Sequence, residues 1–136
     1  MAGYSGTPLP QKLGFKPGTR YRLVGAPPGY GRTLGRLPAG CTAMGPRGTR
    51  LDLIQLFVSS EKKLERHFGL LARKLQPAGA LWISWPKKSS GVTTDLTETE
   101  VRRIGLAAGL VDVKVCAVDE TWSGLKFVRR LKERPD

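Results

Sequence analysis

Residues 51–86 read LDLIQLFVSSEKKLERHFGLLARKLQPAGALWISWP, and this stretch decides the fold. Residues 51–58 are apolar at nearly every position, as in a strand that is buried on both faces of a parallel sheet. Residues 80–85 repeat that pattern and are stopped by Pro86. Two such strands, separated by residues 59–79, predict a parallel pair joined by a helical crossover.

The segment between these two strands has the pattern of an amphipathic helix. Ser59 or Ser60 is a suitable N-cap, and Glu61 in the first turn interacts favourably with the helix dipole. Pro77 and Gly79 are expected to end the helix. Its predicted apolar stripe consists of Leu64, Phe68, Leu71 and Leu75.

Beyond this unit, the sequence predicts another helix and a hairpin. Thr97 and Glu100 have the spacing of a capping box, and Gly109 is a natural helix stop. Residues 111–118 form a further strand, and residues 125–128 are expected to pair with it in an antiparallel hairpin. The apolar stripe of the helix is predicted to be Val101, Ile104 and Ala108.

The N-terminal part contributes shorter elements. Residues 21–24 and 41–44 are predicted to be strands, and residues 32–37 a short helix. Residues 1–19 are rich in Gly and Pro and are expected to form an irregular arm with one helical turn at residues 9–13.

Strands and helices alternate from residue 51 onward. Because parallel strands need right-handed crossovers, helices must cover both faces of the sheet. We therefore predict a three-layer α/β sandwich with a Rossmann-like, mostly parallel sheet and an antiparallel C-terminal strand. The 136 residues fit one domain, with residues 129–136 as a charged tail.

The charge of the chain is strongly positive and unevenly distributed. The net charge is +12, and residues 1–50 contain Lys and Arg but no Asp or Glu. This asymmetry indicates an anionic partner such as nucleic acid, a nucleotide or phosphate. The alternative is a generally basic surface that keeps the protein in solution.

Other features of the sequence argue against a membrane-spanning protein, an exported protein and a metal-binding protein. No apolar run is long enough to span a membrane, and the N-terminus lacks the pattern of an export signal. Cys41 and Cys116 are expected to be free, buried thiols in a reducing cytoplasm. One His and two distant Cys are too few ligands for a metal site.

Three segments resemble S-adenosylmethionine (SAM)-dependent methyltransferases. Residues 13–20 (LGFKPGTR) resemble the entry into the first strand of that fold, and residues 77–84 (PAGALWIS) resemble its fifth strand. Residues 109–113 (GLVDV) and the terminal hairpin are similar to its last strands. The resemblance implies a truncated methyltransferase-like sheet.

A tighter resemblance is to an uncharacterised bacterial family, the domain of unknown function 3052. It is carried by residues 2–9 (AGYSGTPL), residues 85–91 (WPKKSSG) and residues 113–125 (VKVCAVDETWSGL). This resemblance spans essentially the whole chain. It implies a fold and a bacterial origin, but no established activity.

The sequence departs from the methyltransferase pattern where that pattern holds its cofactor. The resemblance implies an acidic residue before the first glycine-rich loop and another after the second strand, yet no Asp or Glu precedes Asp52. Pro27 and Pro28 also remove two backbone donors from the loop. On this ground we interpret the chain as a non-catalytic module without a cofactor, with SAM disfavoured.

The candidate site follows from the predicted sheet. In open α/β sheets, ligands bind outside the carboxyl ends of the parallel strands. The turns that contain Lys87 and Asp119 must then lie at the same edge. Aromatic faces and lysines suit a planar anionic ligand. The candidate binding residues are Gly25, Gly29, Tyr30, Ser59, Ser60, Trp85, Lys87, Lys88, Asp119, Glu120 and Trp122.

Simpler roles compete for several of these residues. Trp85 alternates with Ile83 and is compatible with a core position. Asp119 and Glu120 are compatible with a structural salt bridge to the two lysines.

Three functions are compatible with the sequence. The main interpretation is a binding module for an anionic small molecule or a protein partner. The first alternative is a nucleic-acid-binding protein that uses the basic residues 1–50, and the second is a divergent SAM-dependent methyltransferase.

Overall fold

A computed structural model describes residues 6–133 of the chain. Six strands and four α-helices are numbered separately in chain order. The strands are β1 (Arg20–Val24), β2 (Thr42–Ala43), β3 (Leu51–Phe57), β4 (Leu75–Pro86), β5 (Leu110–Ala117) and β6 (Trp122–Arg129). The helices are α1 (Leu9–Leu13), α2 (Tyr30–Leu34), α3 (Glu61–Ala72) and α4 (Glu98–Ala107).

The six strands form one mixed sheet in the order β2-β1-β3-β4-β6-β5. Strands β2, β1, β3 and β4 are parallel to one another. Strand β6 is antiparallel to both β4 and β5, between which it lies. This arrangement confirms the predicted fold class.

The two faces of the sheet have separate cores. The α3/α4 face buries a large cluster that includes Phe68 and Phe127, whose rings meet edge to face with centroids 5.1 Å apart. The α1/α2 face buries a smaller cluster around Leu13 and Trp82. Helices α1 and α2 have five residues each, so they cover much less of the sheet than α3 and α4 do.

The long strand β4 differs from its prediction. Helix α3 ends at Ala72 and β4 begins at Leu75, so Leu75 belongs to the strand rather than to the helix stripe. The register between β3 and β4 shifts between the Leu51 and Leu53 pairings. A Cβ atom on Gly79 would lie 2.7 Å from the Leu51 carbonyl oxygen. Gly79 therefore permits a close approach of two strands, and it does not end the helix.

The predicted N-cap of α3 is confirmed, whereas the capping box of α4 is not formed. The Ser60 hydroxyl accepts a hydrogen bond from the Lys63 backbone N–H. Thr97 is the N-cap of α4 but makes no side-chain cap hydrogen bond. Glu100 is bonded to Arg103 instead, because an arginine one turn along the helix competes for its carboxylate.

The apolar stripe of α4 also differs at one position. Val101 and Ile104 are buried as predicted, but Ala108 is exposed. Gly105 takes its place, since this residue is buried against the ring of Phe127.

The ends of the described chain depart slightly from the prediction. Residues 6–19 contain α1 and are otherwise irregular, as expected. Arg129 belongs to β6 rather than to a charged tail, because its guanidinium donates to the carbonyls of Ala72 and Gln76. Residues 1–5 and 134–136, which carry part of the predicted arm and tail, lie outside the described residues.

Membrane-spanning helices, metal-ligating clusters and disulfides each bear on the class of function. Neither a membrane-spanning helix nor a cluster of three or more metal-ligating side chains is present in residues 6–133. Cys41 and Cys116 are free thiols, but both are half-buried rather than fully buried as expected.

Candidate functional site at the carboxyl edge

The carboxyl edge of the sheet gathers the turns that follow β1, β3, β4 and β5. The Lys87 backbone N–H donates to the Thr121 carbonyl at 2.8 Å, and the Val58 N–H donates to the Ser84 carbonyl at 3.0 Å. The turn after β4 thus contacts the turn between β5 and β6. Lys87 and Asp119 therefore lie at the same edge, as the predicted site required.

Three aromatic rings form a row across this edge. The Tyr30 and Phe57 ring centroids are 4.7 Å apart, and those of Phe57 and Trp122 are 5.1 Å apart, both in edge-to-face geometry. Tyr30 and Phe57 are buried, whereas Trp122 is half-buried. Trp122 is therefore the member of the row that offers a surface to a ligand.

Beneath this row, a chain of buried hydrogen bonds joins α2 to two strands. The Tyr30 hydroxyl donates to Gln55 Oε1 at 2.8 Å, and Gln55 Nε2 donates to Ser84 Oγ at 3.0 Å. Burial raises the pKa of the Tyr30 phenol above its ordinary value. Tyr30 therefore stays protonated and positions α2, with its hydroxyl directed inward rather than toward a ligand.

The turn between β5 and β6 is held by Asp119. Its Oδ1 atom accepts hydrogen bonds from the backbone N–H groups of Thr121 and Trp122, both at 2.8 Å. This is the local geometry that makes Asp favourable in turns. Asp119 is half-buried and Glu120 is exposed, so the turn presents negative charge at the edge.

The two lysines after β4 do not neutralise this charge. Lys87 is half-buried and Lys88 is exposed. Within residues 6–133, neither lysine forms an ion pair with Asp119 or Glu120. The structural salt bridge considered from the sequence is therefore absent.

Trp85 lies near the carboxyl end of β4, but its side chain is not accessible to a ligand at this edge. It is 5% exposed and packs in the cluster on the α3/α4 face. The core position was the competing interpretation of the alternation with Ile83, and the structure places Trp85 there. We therefore remove it from the site.

The loop after β1 is compact and offers few donors. Gly25 has a φ of +72°, and a Cβ atom on it would lie 2.9 Å from the Phe57 carbonyl oxygen. Pro27 and Pro28 have no backbone N–H. Gly29, with φ +81°, begins α2. The acidic residue that the methyltransferase resemblance implies would precede this loop, where the chain has Val24.

Sequence reasoning did not single out the segment that closes over the start of α3. The Thr94 hydroxyl donates to the Ser59 carbonyl at 2.7 Å, and Asp95 Oδ1 accepts from the Glu61 backbone N–H at 2.8 Å. The Asp95 carboxylate thus satisfies a backbone N–H at the start of α3 that has no acceptor within the helix. Ser59 and Ser60 are half-buried beside this segment and position it.

Phe57, Gln55 and Ser84 were also not predicted as part of the site. Gln55 and Ser84 are 0% exposed. The sequence did contain a signal for Gln55 and Ser84, since each is a polar residue within an otherwise apolar predicted strand.

The β5–β6 turn brings two carboxylates to this edge, those of Asp119 and Glu120. Neither β1 nor β2 supplies one, because no Asp or Glu precedes Asp52. Asp119 and Glu120 provide negative charge next to Trp122. These residues fit the cationic part of SAM, whereas the ribose-binding carboxylates that the resemblance implies have no counterpart.

No protein-family model matches the sequence, and no curated protein sequence matches it. Solved structures do match the fold. A SAM-dependent methyltransferase from Aquifex aeolicus is 15% identical with a TM-score of 0.65, and the match covers 86% of this chain and 85% of that one.

Two further neighbours carry relevant descriptions. A Burkholderia thailandensis 1,6-didemethyltoxoflavin-N1-methyltransferase with bound S-adenosylhomocysteine is 13% identical, with a TM-score of 0.58, 89% of this chain covered and 74% of that one. A Methanococcus jannaschii fibrillarin pre-rRNA processing protein is 15% identical, with a TM-score of 0.57, 92% of this chain covered and 70% of that one. These matches establish a Rossmann-like methyltransferase fold.

The comparisons overturn our interpretation of the chain as a non-catalytic binding module without a cofactor. Of the neighbours that share its fold, one is described as a SAM-dependent methyltransferase and another as a methyltransferase with bound S-adenosylhomocysteine. That finding favours the methyltransferase alternative. The prediction that no cofactor is used was wrong because it gave too much weight to the absent acidic residues.

Proposed function

We propose that this chain is a divergent SAM-dependent methyltransferase that binds its cofactor at the carboxyl edge of the sheet. The observation that carries the proposal is the meeting of the Lys87 and Asp119 turns at that edge, in a methyltransferase fold. Ligands of open α/β sheets bind at this edge. SAM would supply a methyl group for transfer to a nucleophile on the substrate.

The charges at the edge are complementary to the charges of SAM. The cofactor carries a sulfonium, an ammonium group and a carboxylate. Asp119 and Glu120 attract the cations, and a ring such as that of Trp122 stabilises a cation by about 0.5–2 kcal/mol. Lys87 and Lys88 attract the carboxylate of the cofactor.

The proposed recognition differs from that implied by the methyltransferase resemblance. Negative charge comes from the β5–β6 turn, because neither Val24, which precedes the loop after β1, nor the residues between β2 and β3 are acidic. The buried hydrogen bonds from Tyr30 through Gln55 to Ser84 hold the floor of this edge rigid.

Isothermal titration calorimetry of SAM against the wild type and Asp119→Asn tests the proposal. Asparagine keeps an acceptor oxygen for the turn but removes the charge, so we expect about tenfold weaker SAM binding, equivalent to about 1.4 kcal/mol. S-adenosylhomocysteine lacks the sulfonium, and its affinity should fall less. Glu120→Gln should act in the same direction with a smaller effect, since Glu120 is exposed.

Glu133→Gln is a suitable control, because Glu133 is exposed and follows β6 at the opposite edge. It should leave SAM affinity unchanged. An absence of binding heat for the wild type at millimolar SAM would rule out the proposal. Equal affinities of the wild type and Asp119→Asn would remove Asp119 from the site.

A second candidate function, binding of nucleic acid, is supported by the way charge is segregated in the fold. Arg102 and Arg103 pair with carboxylates on α3, α4 and β5, as in Arg102–Asp112 and Arg103–Glu61. The arginines around β1 and β2 form no ion pair within the described residues. They are Arg20, Arg22, Arg32, Arg36, Arg47 and Arg50.

We propose on this basis that RNA binds the side of the molecule formed by β1, β2 and α2. Phosphate contacts release counterions, so affinity should fall steeply with salt. Fluorescence anisotropy with a labelled RNA, at two or more salt concentrations, measures this slope. The triple variant Arg32→Gln, Arg36→Gln and Arg47→Gln should bind more weakly and reduce the slope by about 2–3.

The matched control neutralises three exposed cations of α3: Lys62→Gln, Lys63→Gln and Arg66→Gln. It changes the net charge equally but should leave most of the slope intact. Equal losses in the two triple variants would indicate a general charge effect and refute a defined RNA surface. No RNA binding at low salt would also refute it.

A further inference from the structure

A cavity of about 600 Å³ lies on the α1/α2 face, toward the amino ends of the parallel strands. It is open there because the short α1 leaves much of the sheet uncovered. Cavities that bind small molecules usually measure about 300–1,000 Å³. The residues that line it include Gly14, Lys16, Asp52, Gln76, Val113 and Lys126.

Lys126 occupies an unusual position for a charged side chain. It lies in the middle of β6, with Trp82 as its partner on β4 and Lys114 as its partner on β5. Trp82 is fully buried and Lys126 is half-buried. A Cβ atom on Gly14 would lie 3.8 Å from the Lys126 ammonium nitrogen. Its ammonium group therefore lies beneath the end of α1.

No described residue neutralises this ammonium group. Within residues 6–133, the Lys126 ammonium group forms neither an ion pair nor a hydrogen bond. Asp52 lines the same cavity, but its carboxylate oxygens accept from the Arg20 backbone N–H and from Gln76. A partly buried, unpaired charge carries a desolvation cost that a bound anion would offset.

Neighbouring lysines make the cavity more positive still. Burial lowers the pKa of Lys126, and the positive charges of Lys114 and Lys16 lower it further. The Lys114 ammonium group donates to the Lys12 carbonyl at 3.2 Å and so connects β5 to α1. The Lys126 ammonium group makes no comparable hydrogen bond to a described residue.

We propose that this cavity binds a small phosphate-bearing molecule, with Lys126 and Lys16 as the cations that hold the phosphate. The carboxylate of Asp52 and the amide of Gln76 line the same space and suit the hydroxyl groups of a phosphorylated sugar or nucleotide. The site lies away from the carboxyl edge of the sheet, so it does not depend on the proposed cofactor site.

The test is thermal unfolding and calorimetry of the full chain with inorganic phosphate and with AMP. A ligand that binds the folded state raises the melting temperature in proportion to ln(1 + [L]/Kd). The wild type should be stabilised by AMP, and Lys126→Met should bind AMP at least tenfold more weakly. Methionine keeps the length of the side chain without its charge, so the ligand-free variant should be no less stable than the wild type.

Lys62→Met is the matched control, because Lys62 is exposed on α3 across the sheet. It should bind AMP as the wild type does. Lys126→Met should keep its affinity for SAM, which separates this site from the carboxyl edge. Absence of binding by the wild type, or equal AMP binding by Lys126→Met, would overturn the proposal.

An RNA strand is the other source of the same phosphate chemistry. A 5′-phosphorylated RNA oligonucleotide is therefore included as a third probe. If it binds in a Lys126-dependent way while phosphate and AMP do not, the cavity is an RNA contact and the small-molecule proposal is wrong. If all three probes compete, the phosphate group itself is what the cavity recognises.

Discussion

Replacing Trp82 with alanine is expected to lower the free energy of unfolding by about 3–5 kcal/mol, the range for large aromatic side chains in a core. Trp82 is fully buried in the centre of β4. Its indole N–H donates to the Leu13 carbonyl at 2.8 Å and so attaches the end of α1 to the sheet. Urea unfolding followed by circular dichroism measures the loss.

The control is Trp82→Phe, which keeps an aromatic ring but removes the donor. It leaves the buried Leu13 carbonyl without its partner, which costs about 1–3 kcal/mol. Both variants should make the peptide bond after Lys12 more sensitive to trypsin, since α1 loses its attachment. A loss below 1 kcal/mol for Trp82→Ala would contradict the role assigned to this residue.

The second large effect is expected at Gly105. An added Cβ atom would lie 2.1 Å from the Phe127 ring, within the buried cluster of the α3/α4 face. Phe127 would have to move, and with it Phe68, whose ring it meets edge to face. Overpacking of this kind costs about 1–3 kcal/mol, so Gly105→Ala should be clearly less stable than the wild type.

Gly69 provides a matched comparison, because it is also a glycine within an α-helix. A Cβ atom there would meet nothing within 4 Å. Gly69→Ala should therefore raise stability by up to about 1 kcal/mol through helix propensity alone. If Gly105→Ala were stabilising as well, the close contact with Phe127 would not govern this position.

The local signals in the sequence were sufficient for most of the fold. Residues 51–58 and 80–85 were predicted as buried parallel strands. The first run corresponds to β3, which ends at Phe57, and the second forms the C-terminal half of β4. The shortness of these apolar runs, and Pro86 at the end of the second run, favoured buried strands over a buried helix. The helix between them began at the predicted Ser60 cap.

Features that depend on tertiary contact were not predictable in the same way. Gly79 reads as a helix stop, but its role is to admit the Leu51 carbonyl of another strand. Gly105 has a low helix propensity, yet the Phe127 ring of β6 leaves no room for a side chain at this position. In both cases the partner lies far away in the sequence, so no local pattern contains the information.

The candidate site was predicted in outline but not in detail. The meeting of Lys87 and Asp119 followed from parallel topology, and Trp85 was misplaced because alternation along a strand does not say which face is covered. Gln55 was missed since its polarity is satisfied by Tyr30 and Ser84, which only the fold brings near. Cofactor use was misjudged because absent acidic residues at β1 and β2 do not exclude carboxylates elsewhere at the same edge.

The insertion of β6 between β4 and β5 has a consequence for synthesis on the ribosome. Strand β5 leaves the exit tunnel before β6, yet it reaches the rest of the sheet only through β6. Until residues up to Arg129 have emerged, β4 keeps an unpaired edge of backbone donors and acceptors. Such an edge is prone to pair with other chains, so the nascent polypeptide passes through a stage at which it depends on rapid completion or on a chaperone.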